Sequence, residues 1–417
     1  MQICIFEDIN YINFEPMVFS RPVYNLLCGI DSLKEKIIRN YGDVKVSLHC
    51  RPYLAEIVQY QNPNCLVNKI EDTACLFING RLIAPDNLSQ LLPLLPAEDK
   101  VFVNEETVIA AYLSGIHLQH KINYLKDLFS VSDFNGLPIK ILDLKCANYL
   151  WDLINLNGKQ IVEDFNYLTN ISKENFVDEI DSSIHIINKQ NVFIGKDVTI
   201  KPGVVLDALK GPIIISDEVF IYPNAVIEGP CFIGESSKIK SSATICENVS
   251  IGKVCKIGGE VEQSIFMDYS SKQHAGFIGH SYIGSWVNLG ADTNNSNLKN
   301  NYSKIKIQLS NKEIDSGSQF LGLMIGDHSK SAINTMFNTG TVVGYSCNIF
   351  AAGFPEKYVP SFTWGGDDSS TVYDIKRAME TANIAMNRRK IDFETKDELM
   401  FNTIFELTKN DREKRGY

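Results

Sequence analysis

Through the middle of the chain, apolar residues recur six apart. Ile194, Ile200 and Leu206 start the series, and after an insertion it runs Ile215, Ile221, Ile227, Ile233, Ile239, Ile245, Ile251 and Ile257. Gly often follows, as at Gly195, Gly234, Gly252 and Gly258, and a small or β-branched residue often stands four positions after the Ile, as at Val219, Ala225 and Ala243. Neither a helical period of about 3.6 nor a strand period of about 2 explains this spacing. A six-residue period marks a parallel β-helix: three steps close one triangular coil, and each Ile points to the axis. The rhythm resumes at Phe277, Ile283 and Leu289, is interrupted by KIKIQLSNKEIDSG (a loop or hairpin), and returns at Ile325, Phe337, Val343 and Ile349.

The flanks read differently. MQICIFE, DVKVSLHC and TACLFING are strand-like, whereas SLKEKIIRNYG, RPYLAEIVQYQ, VIAAYLSG and KINYLKDLFS are helix-like. Strands alternating with helices predict a three-layer α/β domain with a largely parallel sheet. After PSFTWGGDD, Ile375, Met379, Ala382 and Met386 recur at helical spacing, and Thr395 with Glu398 forms a capping-box pattern for a last helix. These helices are expected to pack on the end of the coil stack. The predicted domains are 1–178 (α/β), 179–360 (β-helix) and 361–417 (helical tail).

Composition narrows the partners. The net charge of −10 argues against a nucleic-acid surface, which needs clustered Lys and Arg. The 10 Cys show no CxxC pair, which excludes a zinc motif or a disulfide framework and fits a reducing compartment. MQICIFEDIN has no basic lead or long apolar run, and no stretch reaches membrane-helix length. A cytoplasmic protein without membrane contact is expected.

The candidate chemistry lies in 270-SSKQHAGFIGHSYIGSWVNLGADTNNSNLKNNYSK-304. One imidazole, His274, precedes I-G and L-G steps, with an amide-rich run behind it. An imidazole is suited to take a proton from an amine near neutral pH, and side-chain amides orient hydroxyls. His280 is a rival base in a turn-like G-H-S step. The NNSNLKNN run also reads as turn chemistry, since Asn tolerates unusual backbone angles. His49, His117, His120, His185 and His328 have no motif context.

A mixed α/β domain followed by SKQHAGFIG, VNLGADT, NSN and YSKIKI resembles the bifunctional uridyltransferase/acetyltransferase family that makes UDP-N-acetylglucosamine. The stretches MVFSRPVYNLLCG (17–29) and WDLINLNGKQIVEDF (151–165) are similar to a less common bacterial branch of it. The resemblance implies a nucleotidyltransferase-like, Rossmann-like first domain and a left-handed coil. It implies His274 as the acetyltransferase base, Asn288 and Asn297 as sugar contacts, Ala291 lining the acyl-CoA, and Lys304 near the family's downstream Lys. It also implies acetyl-CoA, UTP, a sugar phosphate and Mg2+. A β-helix with a site at its corner commonly completes that site with a neighbour, so a homotrimer is expected, with Phe277, Tyr282 and Trp286, close together along the coil, at the subunit seam. The family's Gly-rich phosphate loop is absent: EDINYINFEP follows the first strand. Arg21 is therefore the candidate replacement phosphate ligand. The family's phosphate-binding Arg and Lys of the early coils are also unmatched, and Lys272 is the candidate in their place. Asp8, Arg81, Asp152 and Asn157 are candidate nucleotide, metal or sugar contacts; the metal ligands stay unassigned. Three alternatives stand beside the bifunctional reading: an acetyltransferase with a relic first domain, a nucleotidyltransferase for another sugar phosphate, and a non-catalytic nucleotide-sugar sensor.

Overall fold

The computed structural model describes residues 1–94, 98–171, 182–309, 312–367 and 369–417. The expected boundary at 178/179 lies outside the described residues.

The N-terminal part is a seven-stranded sheet. Its strands are β1 (Gln2–Phe6), β2 (Lys45–Leu48), β3 (Leu66–Val67), β4 (Ala74–Asn79), β5 (Lys100–Asn104), β6 (Thr107–Ser114) and β7 (Ile139–Ile141), in the order β3-β2-β1-β4-β6-β5-β7. β3, β2, β1 and β4 are parallel, and β6 runs antiparallel to both neighbours. Two helices connect the parallel strands: α1 (Leu33–Ile38), opened by a Ser32/Glu35 capping box, and α2 (Ala55–Gln61). VIAAYLSG is thus a strand and not the expected helix. Its residues 108–113 are buried on both faces, so the apolar run carries no alternation to separate strand from helix. Helix α3 (Gly115–Asn123) follows and stops short of KDLFS.

A 22-residue helix, α4 (Leu150–Ile171), leads toward the coil. Its Asn157 is a buried strut: Oδ1 accepts from the Gly29 N–H at 2.8 Å and Nδ2 donates to the Asn248 carbonyl at 3.0 Å. A Cβ on Gly158 would stand 1.7 Å from Asn248 Oδ1, so only Gly allows this approach. The Lys36 ammonium and the Asp164 carboxylate, both fully buried, pair at 2.5 Å and tie α4 to α1.

The middle region is a parallel β-helix of three stacked faces. On one face the inward column reads Ile194, Ile215, Ile233, Ile251, Phe266, Ile283, Ile325, Val343 and Val359. The outward neighbours on that face include Ile214, Phe232, Ile265, Tyr282, Met324 and Val342, each at most 9% exposed. They pack on α4 and the N-terminal segment around Phe14–Leu33. Both sides of this sheet are apolar because both are covered. Tyr282 is therefore not at a subunit seam: it is fully buried, and its hydroxyl donates to the Leu27 carbonyl at 2.9 Å. The rhythm also does not resume at Phe277: Ile278 pairs with Val261 and points inward, because the coils there are shorter than eighteen residues. KIKIQLSNKEIDSG forms an antiparallel hairpin, Lys306–Leu309 with Lys312–Asp315.

The tail forms α5 (Ile375–Asn387) and α6 (Thr395–Leu407), and Glu394 with Asp397, rather than Thr395 with Glu398, makes the capping box. These helices do not simply cap the coil. Phe401, Met400, Ala378 and Ala382 share one core with Tyr345 and Phe362 of the coil and with Leu54, Ile57 and Val58 of the N-terminal part. The tail wedges the two parts together.

Candidate active site

The third face of the coil carries an inward column of Ile221, Ile239 and Ile257, and the next residue in register is Lys272. A lysine inside the coil needs acceptors. Its ammonium donates to the carbonyls of Gly258 at 3.0 Å, His274 at 2.9 Å and Ala275 at 3.3 Å. Gly259, at φ +71°, leaves the space, since a Cβ there would stand 2.6 Å from Lys272 Nζ. Burial pushes the Lys272 ammonium down to about 8, with Asp292 opposing. Lys272 thus clamps the corner that follows it.

That corner presents His274. The side chain is exposed, and its imidazole makes no hydrogen bond among the described residues. The next coil stacks directly on it: Ser271 bridges Asn288, and the Asp292 N–H donates to the Ala275 carbonyl at 3.1 Å. Ala291 therefore lies one rung from His274, and exposed Asn288 lies on the same rung. Gly276, at φ +111°, permits the contact, since a Cβ there would reach 2.2 Å from the Thr293 carbonyl.

The amides divide by role. Asn294 Oδ1 accepts from the Phe277 N–H at 2.7 Å, and Asn295 accepts from the Gly279 N–H at 2.9 Å and donates to its carbonyl at 3.0 Å. Both stitch one coil to the one below, and Asn301 accepts from the Ser303 N–H in a turn. Asn297 donates to Glu262 Oε1 and to His280 Nδ1, each at 3.0 Å. His280 is buried beneath Phe320, which stacks on it at 5.0 Å. Burial pushes His280 down to about 4, which makes it a weak base. Glu262 and Phe320 carry no motif signal, and only the fold brings them to Asn297. Lys304 is exposed at the foot of the hairpin, its carbonyl accepting from Lys299 Nζ at 2.9 Å, and no hydrogen bond joins it to the His274 corner among the described residues.

Of the N-terminal candidates, Asp8 and Arg81 sit just past the carboxyl ends of β1 and β4, where open α/β sheets bind ligands, with Arg51 past the end of β2 beside them. Here those ends are closed by buried ion pairs. Arg51 faces Glu7 through Nε at 3.1 Å and Nη2 at 3.3 Å. Arg81 faces Asp8 at 2.9 and 2.6 Å and also holds the Ala147 carbonyl at 2.6 Å. Asp8 caps a short 3-10 turn, Ile9–Phe14, which stands where a Gly-rich loop would run. Asp152 caps α4 by accepting from the N–H groups of Asn148 and Tyr149. Arg21 points the other way, to the coil: Nη2 pairs with Asp327 and donates to Ser285 Oγ at 3.0 Å. Ser20 reinforces the link, donating to Asp327 at 2.6 Å. Among the described residues, the one grouping of three ligand-type side chains is Cys246, Glu260 and Glu262 on the coil, away from the sheet. No described helix is long and apolar enough to cross a membrane.

Known proteins bear on this geometry. A family described as sugar nucleotidyl transferase matches residues 3–173. The bifunctional sugar-1-phosphate nucleotidylyltransferase/acetyltransferase of Sulfurisphaera tokodaii is 30% identical over 346 residues, 83% of this chain and 74% of that protein. The bifunctional protein GlmU of Wigglesworthia glossinidia brevipalpis is 28% identical over 53% of this chain, a match that spans 49% of that relative's length. A solved UDP-N-acetylglucosamine acyltransferase from Campylobacter jejuni is similar over 55% of this chain and 82% of its own, with 15% identity and a TM-score of 0.35. With the sugar nucleotidyl transferase match at its N-terminal sheet, and a 30% identical relative spanning both the sheet and the coil, the chain belongs to the family of bifunctional sugar-1-phosphate nucleotidylyltransferase/acetyltransferases.

Proposed function

We propose that this chain N-acetylates an amino-sugar 1-phosphate with acetyl-CoA at the His274 corner, and that the N-terminal part then transfers uridylyl from UTP to give UDP-N-acetylglucosamine. The observation that carries the first half is the exposed, unpartnered imidazole of His274 on a corner clamped by Lys272, one rung from Ala291 and beside Asn288. The substrate amine is protonated at neutral pH and must lose a proton to attack. His274 takes that proton, the amine nitrogen bonds to the thioester carbon, the carbon–sulfur bond breaks, and the departing thiolate is protonated. In this reading Asn288 orients sugar hydroxyls and Ala291 leaves room for the acyl chain, while Asn297, whose Nδ2 is held by Glu262 and His280, offers a ligand only its Oδ1. The test is thiol release from acetyl-CoA with glucosamine 1-phosphate. His274→Ala should lower the rate by about a hundredfold or more. An unchanged rate removes His274 from the chemistry.

A homotrimer fits the same corner. Exposed Ile333, Met336 and Phe350 lie on the later coils of the edge that carries His274. A neighbouring coil would cover them and give His274 its second wall. Light scattering should report three chains, and a stable monomer would count against this arrangement. Ten free thiols favour a cytoplasmic setting.

One observation favours a second reading, an acetyltransferase whose N-terminal part transfers no nucleotide. Glu7 and Asp8 are each already held by a guanidinium, so these carboxylates do not fit a magnesium site. Pyrophosphate release from UTP with N-acetylglucosamine 1-phosphate, with and without magnesium, separates the two. Release supports the bifunctional reading, and none with any nucleoside triphosphate supports the second.

A further inference from the structure

One face of the coil is closed to any partner, because α4 and the N-terminal segment cover it. The other two faces are free, and they meet at the edge that carries His274. Their charges are opposite.

The third face is basic. Outward of its axial column stand Lys201, Lys238, Lys240 and Lys256, and from Thr199 to Asn288 no outward residue of this face is Asp or Glu. Lys201 and Lys240 lie over the rings of Phe220 and Tyr222, at 5.3 and 4.4 Å from the centroids. Lys238 and Lys256 face each other on adjacent rungs, which are about 4.8 Å apart. Burial, and after it the charges of Arg389, Lys238, Arg388 and Lys240, push the Lys256 ammonium below its ordinary value. The tail thus adds two guanidinium groups to the patch. Like charges this close, with no carboxylate paired to them among the described residues, attract an external anion.

The remaining face, which starts at His185–Ile187, is acidic. Its outward positions carry Asp207, Glu228, Glu260 and Glu262. Lys210 stands 3.6 Å from Glu228, but neither Glu260 nor Glu262 has a Lys or Arg partner among the described residues. A carboxylate oxygen of Glu260 and one of Glu262 lie within 4.8 Å of each other. This face attracts a cation.

The two sets of charges stand at matching levels. One coil runs through Val226–Glu228, Cys231–Ile233 and Lys238–Ile239, so Glu228 is level with Lys238. The next coil carries Lys256, and Glu260 opens the one after it. Copies in a closed ring about an axis parallel to the coil differ by rotation alone, so equal levels meet. Contact between two different faces is heterologous, the kind that closes into rings.

We infer that the basic face of one copy lies against the acidic face of the next, and that the acetylation site is shared, with His274 from one copy and Lys256 from its neighbour. The inference rests on the amino-sugar 1-phosphate and the homotrimer proposed above. A phosphate at this edge needs a cation, and the copy that supplies His274 directs none to it among the described residues. Its Lys272 is spent inside the coil on three carbonyls. Its Glu260, whose N–H donates to the Gly276 carbonyl at 3.1 Å, starts the acidic face right beside the corner. Its own Lys256 lies beneath Ser271, on the other side of the edge. The neighbour's Lys256 comes to the corner from across the interface.

The test is complementation between copies. His274→Ala and Lys256→Gln chains with different tags are co-expressed, and assemblies holding both are purified through the two tags. Thiol release from acetyl-CoA with glucosamine 1-phosphate should fall about tenfold or more in each variant alone. The mixed assemblies should recover about a third of the wild-type rate, because each ring of three then has one junction with an intact His274 and an intact Lys256. Mixed assemblies no more active than their parents would overturn the sharing, since a site built within one chain gains nothing from mixing. Light scattering reads the interface separately, so a wild type that releases no thiol still tests it. Glu228→Lys with Glu260→Lys, and Lys238→Glu with Lys256→Glu, should each break the ring into single chains. The chain carrying all four reversals should regain the mass of three, which also shows that the variants fold. Rings that survive both reversals, a four-fold variant that stays single, or a wild type that is itself single would overturn the docking of the two faces.

Discussion

The ammonium of Lys272, inside the coil, donates to the carbonyl oxygen of His274 at 2.9 Å while the imidazole of that same residue stays outside and free. One residue thus spends a buried charge to fix the backbone of another. Lys272→Met keeps the volume of the interior column and removes the three bonds. Stability should change by about 1–3 kcal/mol, since three carbonyls lose a charged donor and a buried charge is removed at the same time. Thiol release should fall several-fold in kcat with less change in KM for acetyl-CoA. A melt and a steady-state assay decide it; an unaltered kcat would mean that the corner holds its shape without the clamp.

His280 makes stability fall in acid. Burial holds its imidazole at about 4, against 6.5 for the unfolded chain. Between those values the unfolded chain binds the extra proton, so stability drops as pH falls from 6.5 through 4, and no penalty remains above 6.5. The contribution is on the order of 3 kcal/mol. Urea midpoints at several pH values across this window should show the drop, and His280→Gln, which keeps an acceptor for Asn297, should flatten it.

Arg21 and Asp327 join the N-terminal part to the coil through a largely buried pair. Either single change, Arg21→Met or Asp327→Leu, leaves a charge uncompensated and should cost about 3–5 kcal/mol. The double variant should recover most of that loss. Additive losses in a denaturation cycle would show that the two side chains do not depend on each other.

Gly158→Ala should strain the seam between helix α4 and the coil, because the new Cβ would collide with Asn248 Oδ1. A cost of about 1–3 kcal/mol is expected despite the better helix propensity of Ala. Asn248→Gly removes the colliding atom, and its own backbone is at φ +62°, which Gly adopts freely. The pair together should recover the loss in thermal melts. No recovery would place the strain elsewhere.

The six-residue rhythm was legible because every coil repeats one demand: an apolar side chain on the axis at each step. Ile215, Ile233 and Ile251 are stacked in register as that demand requires. The strands Gln2–Phe6 and Ala74–Asn79 and the helix that opens at Ser32 were legible for similarly local reasons, short apolar runs and helical spacing. Phe277 was misread because the pattern does not say when a coil is short; Ile278 took the inward place through its pairing with Val261. Thr107–Ser114 was misread because a strand buried on both faces shows no alternation.

By itself, then, the sequence determined a repeating coil and an α/β flank and singled out the imidazole of His274, each through near neighbours or identical steps. Only the tertiary structure decided what the other polar residues are for. Asn157 is a strut, Arg81 closes on Asp8, and Arg21 turns to the coil, because partners 73 to 306 positions away compete for the same groups. His328, which has no sequence context, acquires one only when Trp286, Phe401 and Arg21 are folded around it. A side chain's chemistry is local, but its availability depends on which distant group reaches it first.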